Sequence, residues 1–359
     1  MSPSMSSPAL SPVSSPVSSL PLSSPPSPAA PLQLVCLLAP QRSSQYADLV
    51  AHLALPELQL SPIGPLIAAA EPRAIAGLPG LVLTLRGPLD DAQVAALGRL
   101  ALIRGCFWLS ATTTGDPCLI PIEVSQPTVL PESLLHARRY KGKTNEDLTR
   151  FLLNAARFAS DYAQNNGPLE VFDPLCGGGT TLFAALIAGH NACGIDEARG
   201  DIESTVTFLH NFLTEFDYAH QIREERLRRL GHRWTFTIDT KAGQLTCTLA
   251  HGDTSAATEL LPGLRPHLIV GDLPYGIQHK GAAIDLLAAA LPVWSARLRP
   301  GGVLCLAWDA TRLPRAEMLE AVRPLAPDLT FLEQPPWDAL GHTVDRVIKR
   351  REILAARRA

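Results

Sequence analysis

Residues 169–189 read "LEVFDPLCGGGTTLFAALIAG". Val171 and Phe172 suit a buried strand, Asp173 ends the apolar run and Pro174 stops it. Gly177, Gly178 and Gly179 then remove Cβ atoms where the chain must turn. From Thr180 onward, "TTLFAALIAG" is apolar enough for a buried helix. Strand, glycine turn and helix in this order let a ligand approach the backbone, with the N–H groups of the helix N-terminus aimed at it. The turn is not G-x-G-x-x-G, because position 182 is Leu. That weighs against a nicotinamide-dependent oxidoreductase.

Working outward, the same alternation continues. "NACGID" (191–196) reads as a strand and 197–216 as a helix. "WTFTIDTKAGQLTCTLAHGD" (234–253) reads as a hairpin whose second arm ends at Asp253. "HLIVGD" (267–272) is a strand, 281–298 a helix, and "GGVLCLAWD" (301–309) a strand. A helix near 314–323 and two closing strands, "LTFLEQPP" and "TVDRVIKRREIL", complete the pattern. Strands alternating with helices imply an α/β, doubly wound, Rossmann-like sheet over 131–359, which binds ligands at the carboxyl ends of its strands. Four of these strands end in an acid: Asp173, Asp196, Asp253 and Asp272. One such Asp ordinarily caps the next helix. Four on one rim suggest a site.

Upstream, 31–130 reads as a small α+β domain, with strands at "LQLVCLL", "GLVLTLRG" and "GCFWLSA" and a helix opened by Asp90 or Asp91. It shows no recognisable chemistry, so packing or RNA docking is its expected role. Residues 1–30 are nearly all Ser, Pro, Ala and Leu without a basic residue. They read as a disordered tail and match neither a secretory nor a mitochondrial leader.

The chain has 359 residues, 46% of them hydrophobic, and a net charge of −3, so any nucleic-acid contact must come from local basic patches. "RRYKGKTNE" (138–146) offers Arg138, Arg139, Lys141 and Lys143 as phosphate contacts, and Lys349, Arg350 and Arg351 offer more near the C-terminus. Thr144 and Asp147 suggest a capping box opening an amphipathic helix. In "REERLRRLGHR" (223–233), Glu224 and Glu225 balance the arginines, and a solvated face is expected. Seven cysteines without a C-x-x-C pair predict neither disulfide framework nor metal site and fit a reducing cytosol. No apolar run is long enough for a bilayer.

"DPLCGGGT" resembles the first motif of class I S-adenosylmethionine-dependent methyltransferases, and "DLPYG" (272–276) resembles the [DN]-x-P-[YF] motif of those that methylate planar amino groups. With "RRYKGKTNEDLTRFLLNAA", they resemble the RNA guanine-N2 methyltransferases often joined to a THUMP domain, over roughly 138–350. No THUMP domain is evident in the first hundred residues. The resemblance implies a cytoplasmic enzyme using S-adenosyl-L-methionine on RNA, most of all tRNA. Asp173, Pro174, Cys176, Gly177, Gly179 and Thr180 would line the methionine and ribose end of the cofactor, although Cys176 also reads as simple packing. Asp196 would hold the ribose and Asp253 the adenine. Asp272, Leu273, Pro274 and Tyr275 would form the catalytic turn, with Asp272 also a cofactor-binding residue and Leu273 where the family often has Pro. Adenine N6 or cytosine N4 in DNA, or a glutamine of a protein, would suit the same turn, and a non-catalytic binding module is a further alternative.

A base amino group is a poor nucleophile because its lone pair is conjugated into the ring. Asp272 can accept one N–H, the carbonyl of Leu273 or Pro274 the other, and Tyr275 can stack on the base. Orientation and electrostatic placement then supply the rate, without metal or covalent intermediate. The base must be unpaired or flipped to reach such a turn.

Overall fold

The computed structural model describes residues 32–40, 48–124, 128–140, 142–274, 280–344 and 350–359. The Ser/Pro tail, Lys141, Tyr275 and Lys349 lie outside them.

The first sheet is formed by β1 (Leu32–Leu38), β2 (Ile67–Ile75), β3 (Leu78–Leu85), β4 (Ile103–Ala111) and β5 (Pro117–Pro121), with α1 (Leu49–Leu60) and α2 (Asp91–Leu97) as crossovers. Its order is β2-β3-β1-β4-β5 and every pairing is antiparallel. This is a split β-α-β-β-α-β unit with one added edge strand. Asp90 makes a full capping box with Gln93 at the start of α2. Cys36 and Cys106 face each other across β1 and β4 with their sulfurs 4.0 Å apart.

A short α3 (Ser133–His136) leads to α4 (Glu146–Ala159), which lays Leu148, Phe151, Leu152 and Ala155 into the core. Glu57 of α1 fastens the first unit to this helix. Wholly buried, its carboxylate accepts from the Ala101 and Leu102 amides at 2.8 and 2.9 Å and from Asn154 of α4 at 2.9 Å. Burial raises its pKa, and these hydrogen bonds and Arg150 oppose the shift.

The second sheet contains β6 (Glu170–Asp173), β7 (Asn191–Asp196), β8 (His220–Leu227), β9 (Gly231–Thr240), β10 (Gly243–His251), β11 (Leu268–Asp272), β12 (Val303–Asp309), β13 (Leu329–Phe331), β14 (Gly341–His342) and β15 (Arg351–Arg358). The connecting helices are α5 (Thr180–Ile187), α6 (Arg199–Glu215), α7 (Ala257–Leu260), α8 (Lys280–Arg297) and α9 (Arg315–Val322). The strand order is β13-β15-β12-β11-β6-β7-β10-β9-β8, with β14 beside β15. Strands β10, β7, β6, β11 and β12 run parallel, and β15 is antiparallel to β12 and β13. The expected α/β doubly wound class is therefore what the chain adopts. From β6 the chain winds outward through β7 to β10, then crosses back to β11. The switch point thus lies between β6 and β11, where such sheets open a crevice at their carboxyl ends.

Among the elements that differ from the sequence reading, two in the second sheet matter here. β8 was expected to be only a charged, solvated segment. It is an edge strand with charged residues on both faces, so no burial alternation marks it. The last strand starts at Arg351, later than "TVDRVIKRREIL" suggests, and six of its eight residues are buried. Among the described residues, no helix is long and apolar enough to cross a membrane.

Candidate active site

At the carboxyl ends of β6, β7, β10 and β11 lies a cleft of about 860 Å³, and all four strand-end acids line it. Its floor is the glycine turn. Gly177 and Gly179 take left-handed φ values of 46° and 85°, which side chains with a Cβ rarely adopt. The Cys176 amide donates to the Ile195 carbonyl at 2.9 Å, and its sulfur packs where a Cβ on Gly194 would sit. Cys176 therefore also serves as a wedge between β6 and β7, and burial holds its thiol well above the usual range.

The acids are held by main-chain amides. Asp196 accepts from Gly177 N and Ala198 N, both at 2.8 Å. Asp253 accepts from Ser255 N at 2.8 Å and caps a one-turn helix while remaining exposed on the cleft. Asp173, 3% exposed, accepts from Leu175 N at 3.0 Å. Burial pushes its pKa up to about 7, opposed by the Thr181 hydroxyl and the Leu175 amide and reinforced by Asp196 and Asp272. Glu197 and Asp201 also line the cleft and were not anticipated. Their signal was their place just beyond β7, Glu197 ahead of α6 and Asp201 in its first turn.

Asp272 sits on the opposite wall. One carboxylate oxygen accepts from the Thr144 hydroxyl at 2.8 Å and lies 3.3 Å from the guanidinium of Arg351, itself 0% exposed. Burial raises the pKa of Asp272. Arg351, the Thr144 hydroxyl and nearby His342 pull it back down. Leu273 is buried, its amide bound to the Ala307 carbonyl at 2.9 Å, while Pro274 is exposed and borders the cleft. Thr144 is a site residue the sequence did not reveal, and Arg351, expected at phosphate with Lys349 and Arg350, is instead buried against Asp272. Thr144 had been assigned to a helix cap, but Asn145 is the cap, accepting from Leu148 N at 3.0 Å. A buried arginine opening a C-terminal strand carries no local signal.

Arg138 and Lys143, two of the basic residues in the stretch 138–143, turn inward, contrary to their expected use. Arg138 donates to the Gly178 carbonyl at 2.6 Å, to Ser204 at 2.5 Å and to Thr205, and lies 4.9 Å from the centre of the Tyr140 ring. Lys143 binds the carbonyls of Leu135 and Arg138 and the Glu146 carboxylate, and is 13% exposed. A guanidinium and an ammonium so engaged are not free for phosphate. Tyr140 lies against Gly178, where a Cβ would overlap its ring, and its hydroxyl is 2.6 Å from Thr180 Oγ1. Burial raises the Tyr140 pKa to about 12. Arg139 is exposed, and exposed Arg350 pairs with Glu352 at 2.5 Å at the start of β15. Arg138 and Tyr140 thus meet the glycine turn, while Thr144 meets Asp272.

No family model and no curated protein sequence matches the chain. Among solved structures, TrmN from Thermus thermophilus aligns over 91% of this chain and 100% of its own, at 13% identity and a TM-score of 0.45. A T. thermophilus 16S rRNA N2 G1207 methyltransferase, RsmC, solved with AdoMet and guanosine, aligns over 82% of this chain and 59% of its own, at 15% identity and 0.35. A putative RNA methyltransferase from Pyrococcus horikoshii covers 64% of this chain and 90% of its own, at 15% identity and 0.35. Likenesses this distant carry no argument about activity, which must come from the chain's own residues.

Proposed function

We propose that this protein transfers a methyl group from S-adenosyl-L-methionine to the exocyclic N2 of a guanosine in RNA, most of all tRNA, in a reducing cytosol. The observation that supports it most is the pairing, across one cleft at the switch point, of a glycine turn with a buried carboxylate on a Leu-Pro turn. The residues fit the cofactor's chemistry. Asp196, Glu197, Asp201 and Asp253 put negative charge around the floor and one end of the cleft, and Asp173 adds to it when a bound cation favours its charged form. That suits a ligand with an ammonium, a sulfonium, a diol and an amino group, and disfavours the diphosphate of a dinucleotide. Glycines at 177 and 179 let the ligand approach the main chain.

Bound there, the cofactor supplies an electrophilic methyl on sulfonium. The protein's share is placement. Asp272 accepts an N–H of the amino group and orients its lone pair, and the turn carbonyls beside Pro274 accept the second N–H. Arg351 and Thr144 hold the Asp272 carboxylate in one orientation and favour its ionised form. Tyr275, outside the described residues, keeps its proposed stacking role. Arg139, Lys141, Lys349 and Arg350 remain proposed RNA contacts.

Transfer of label from S-adenosylmethionine to total tRNA, with Asp272→Ala in parallel and nucleoside analysis of the product, tests this reading. Label in N2-methylguanosine that disappears in the variant is expected. Label in N6-methyladenine or N4-methylcytosine of DNA, in a glutamine, or nowhere would sink it.

A further inference from the structure

The second basic stretch of the chain, set aside by its sequence as a balanced, solvated face, occupies the rim of the cleft. β10 runs parallel to β7, so its C-terminal end lies at the ligand rim. β9 is antiparallel to β10 and starts there, with His232 opposite His251. β8 is antiparallel to β9 and ends there, with Leu227 opposite Gly231. The turn joining β8 to β9 is therefore delivered to the mouth of the cleft. Contact is direct, because a Cβ on Gly252, which lines the cleft beside Asp253, would lie 3.0 Å from the Leu230 carbonyl.

The charges sort by position. Glu225 is held by Arg223 and Arg233 at 2.8 and 2.9 Å, and Glu224 lies 2.8 Å from His232. Both acids that balanced the stretch are thus engaged further down the strands. Arg226, Arg228 and Arg229 are exposed at the turn, and among the described residues they make no ion pair. Arg229 also holds a left-handed φ of 64°, where glycine would be relieved of strain. The fold thus carries an exposed guanidinium at a position where a glycine would be easier to accommodate.

We propose that the turn of Arg226, Arg228 and Arg229 is a docking surface for the sugar–phosphate backbone of the RNA substrate. Four to five strand spacings, about 19–24 Å, separate β9 and β8, which carry the turn, from β11 and its Asp272, a span that several nucleotides of one RNA cover. The inference deepens the proposed function and rests on RNA being the substrate. The turn takes over the role that Arg138 and Lys143 cannot play, since their charged groups face inward.

The test is binding of total tRNA by fluorescence anisotropy across a range of salt concentrations. The triple variant Arg226→Ala, Arg228→Ala, Arg229→Ala is expected to weaken binding about tenfold or more near 0.1 M salt and to lower the slope of log K against log salt by about two. The triple Lys variant should keep most of both, because a phosphate contact needs the charge more than the fork. Arg229→Gly separates structure from function: relief of the left-handed strain should raise the melting temperature while RNA binding weakens. Cofactor binding should be unaffected in every variant. Unchanged affinity and slope in the Ala triple would overturn the proposal, and so would a wild-type protein that does not retain tRNA. Wild-type protein that binds tRNA through this turn yet methylates nothing would leave the surface standing and remove the proposed reaction instead.

Discussion

The two ends of the cleft are built in different ways. At the floor, Asp173, Asp196 and Asp253 are each held by a backbone amide, two residues along the chain in the case of Leu175, Ala198 and Ser255. At the opposite wall, Asp272 is held by side chains from distant segments, Thr144 and Arg351, 128 residues before it in the first case. The floor is shaped mainly by backbone turns, with Arg138 and Tyr140 packed against it. The wall exists only when Thr144 and the last strand are both in place. A cofactor with fixed chemistry can be met by fixed backbone, whereas an acid that must stay charged while buried needs a counter-charge brought in by the fold.

Asp272→Ala should divide the two ends most sharply. We expect methyl transfer to fall on the order of 10³-fold, about 4 kcal/mol, with cofactor affinity unchanged by calorimetry. Equal loss of cofactor binding would erase the distinction between wall and floor. Arg351→Met should cost about 3 kcal/mol in urea denaturation, because it leaves a buried carboxylate without its cation. Since Arg351 lowers the Asp272 pKa, the acid limb of the rate profile should also move to higher pH, and Arg351→Lys should move it part of the way back. A profile that stays in place would assign Arg351 to packing alone.

The floor has its own pH signature. Asp173, with a pKa near 7, is partly protonated at neutral pH, and a cationic ligand beside it favours the charged form. Cofactor binding should therefore release a proton, and affinity should rise up to tenfold per pH unit below 7 and level off above it. Asp173→Asn should flatten that dependence. In the absence of ligand the sign reverses for stability. A carboxyl whose folded pKa is raised stabilises the fold most at low pH, and that contribution is lost as pH rises from about 4 through 7. The smallest effect expected is for Thr144→Val, which removes one hydrogen bond to Asp272 and should slow transfer about fivefold, roughly 1 kcal/mol. An effect on cofactor affinity instead would show that Thr144 serves the floor more than the wall.

Much of this was legible in the sequence, for identifiable reasons. The strand–turn–helix units could be read because parallel strands buried on both faces are continuously apolar, as in Leu268–Val270, and because glycines punctuate the turn. The strand-end acids could be read because they are the last residues of such runs. β8 could not, because an edge strand exposed on both faces has no hydrophobic period. The direction of Arg138 and Lys143 was misread for a related reason: charge is visible in a sequence, but the carbonyls and hydroxyls that absorb it are not.

By itself, then, the sequence determined the doubly wound class, the glycine turn and the carboxylates that rim the cleft, because each follows from contacts within a few residues. Only the tertiary structure decided that Arg351 and Thr144 meet at Asp272, that Arg138 and Lys143 face inward, and that the β8–β9 turn carries its arginines to the cleft. Those facts depend on strand order and direction across the whole sheet, and burial of a charge becomes tolerable only once distant segments bring its partner.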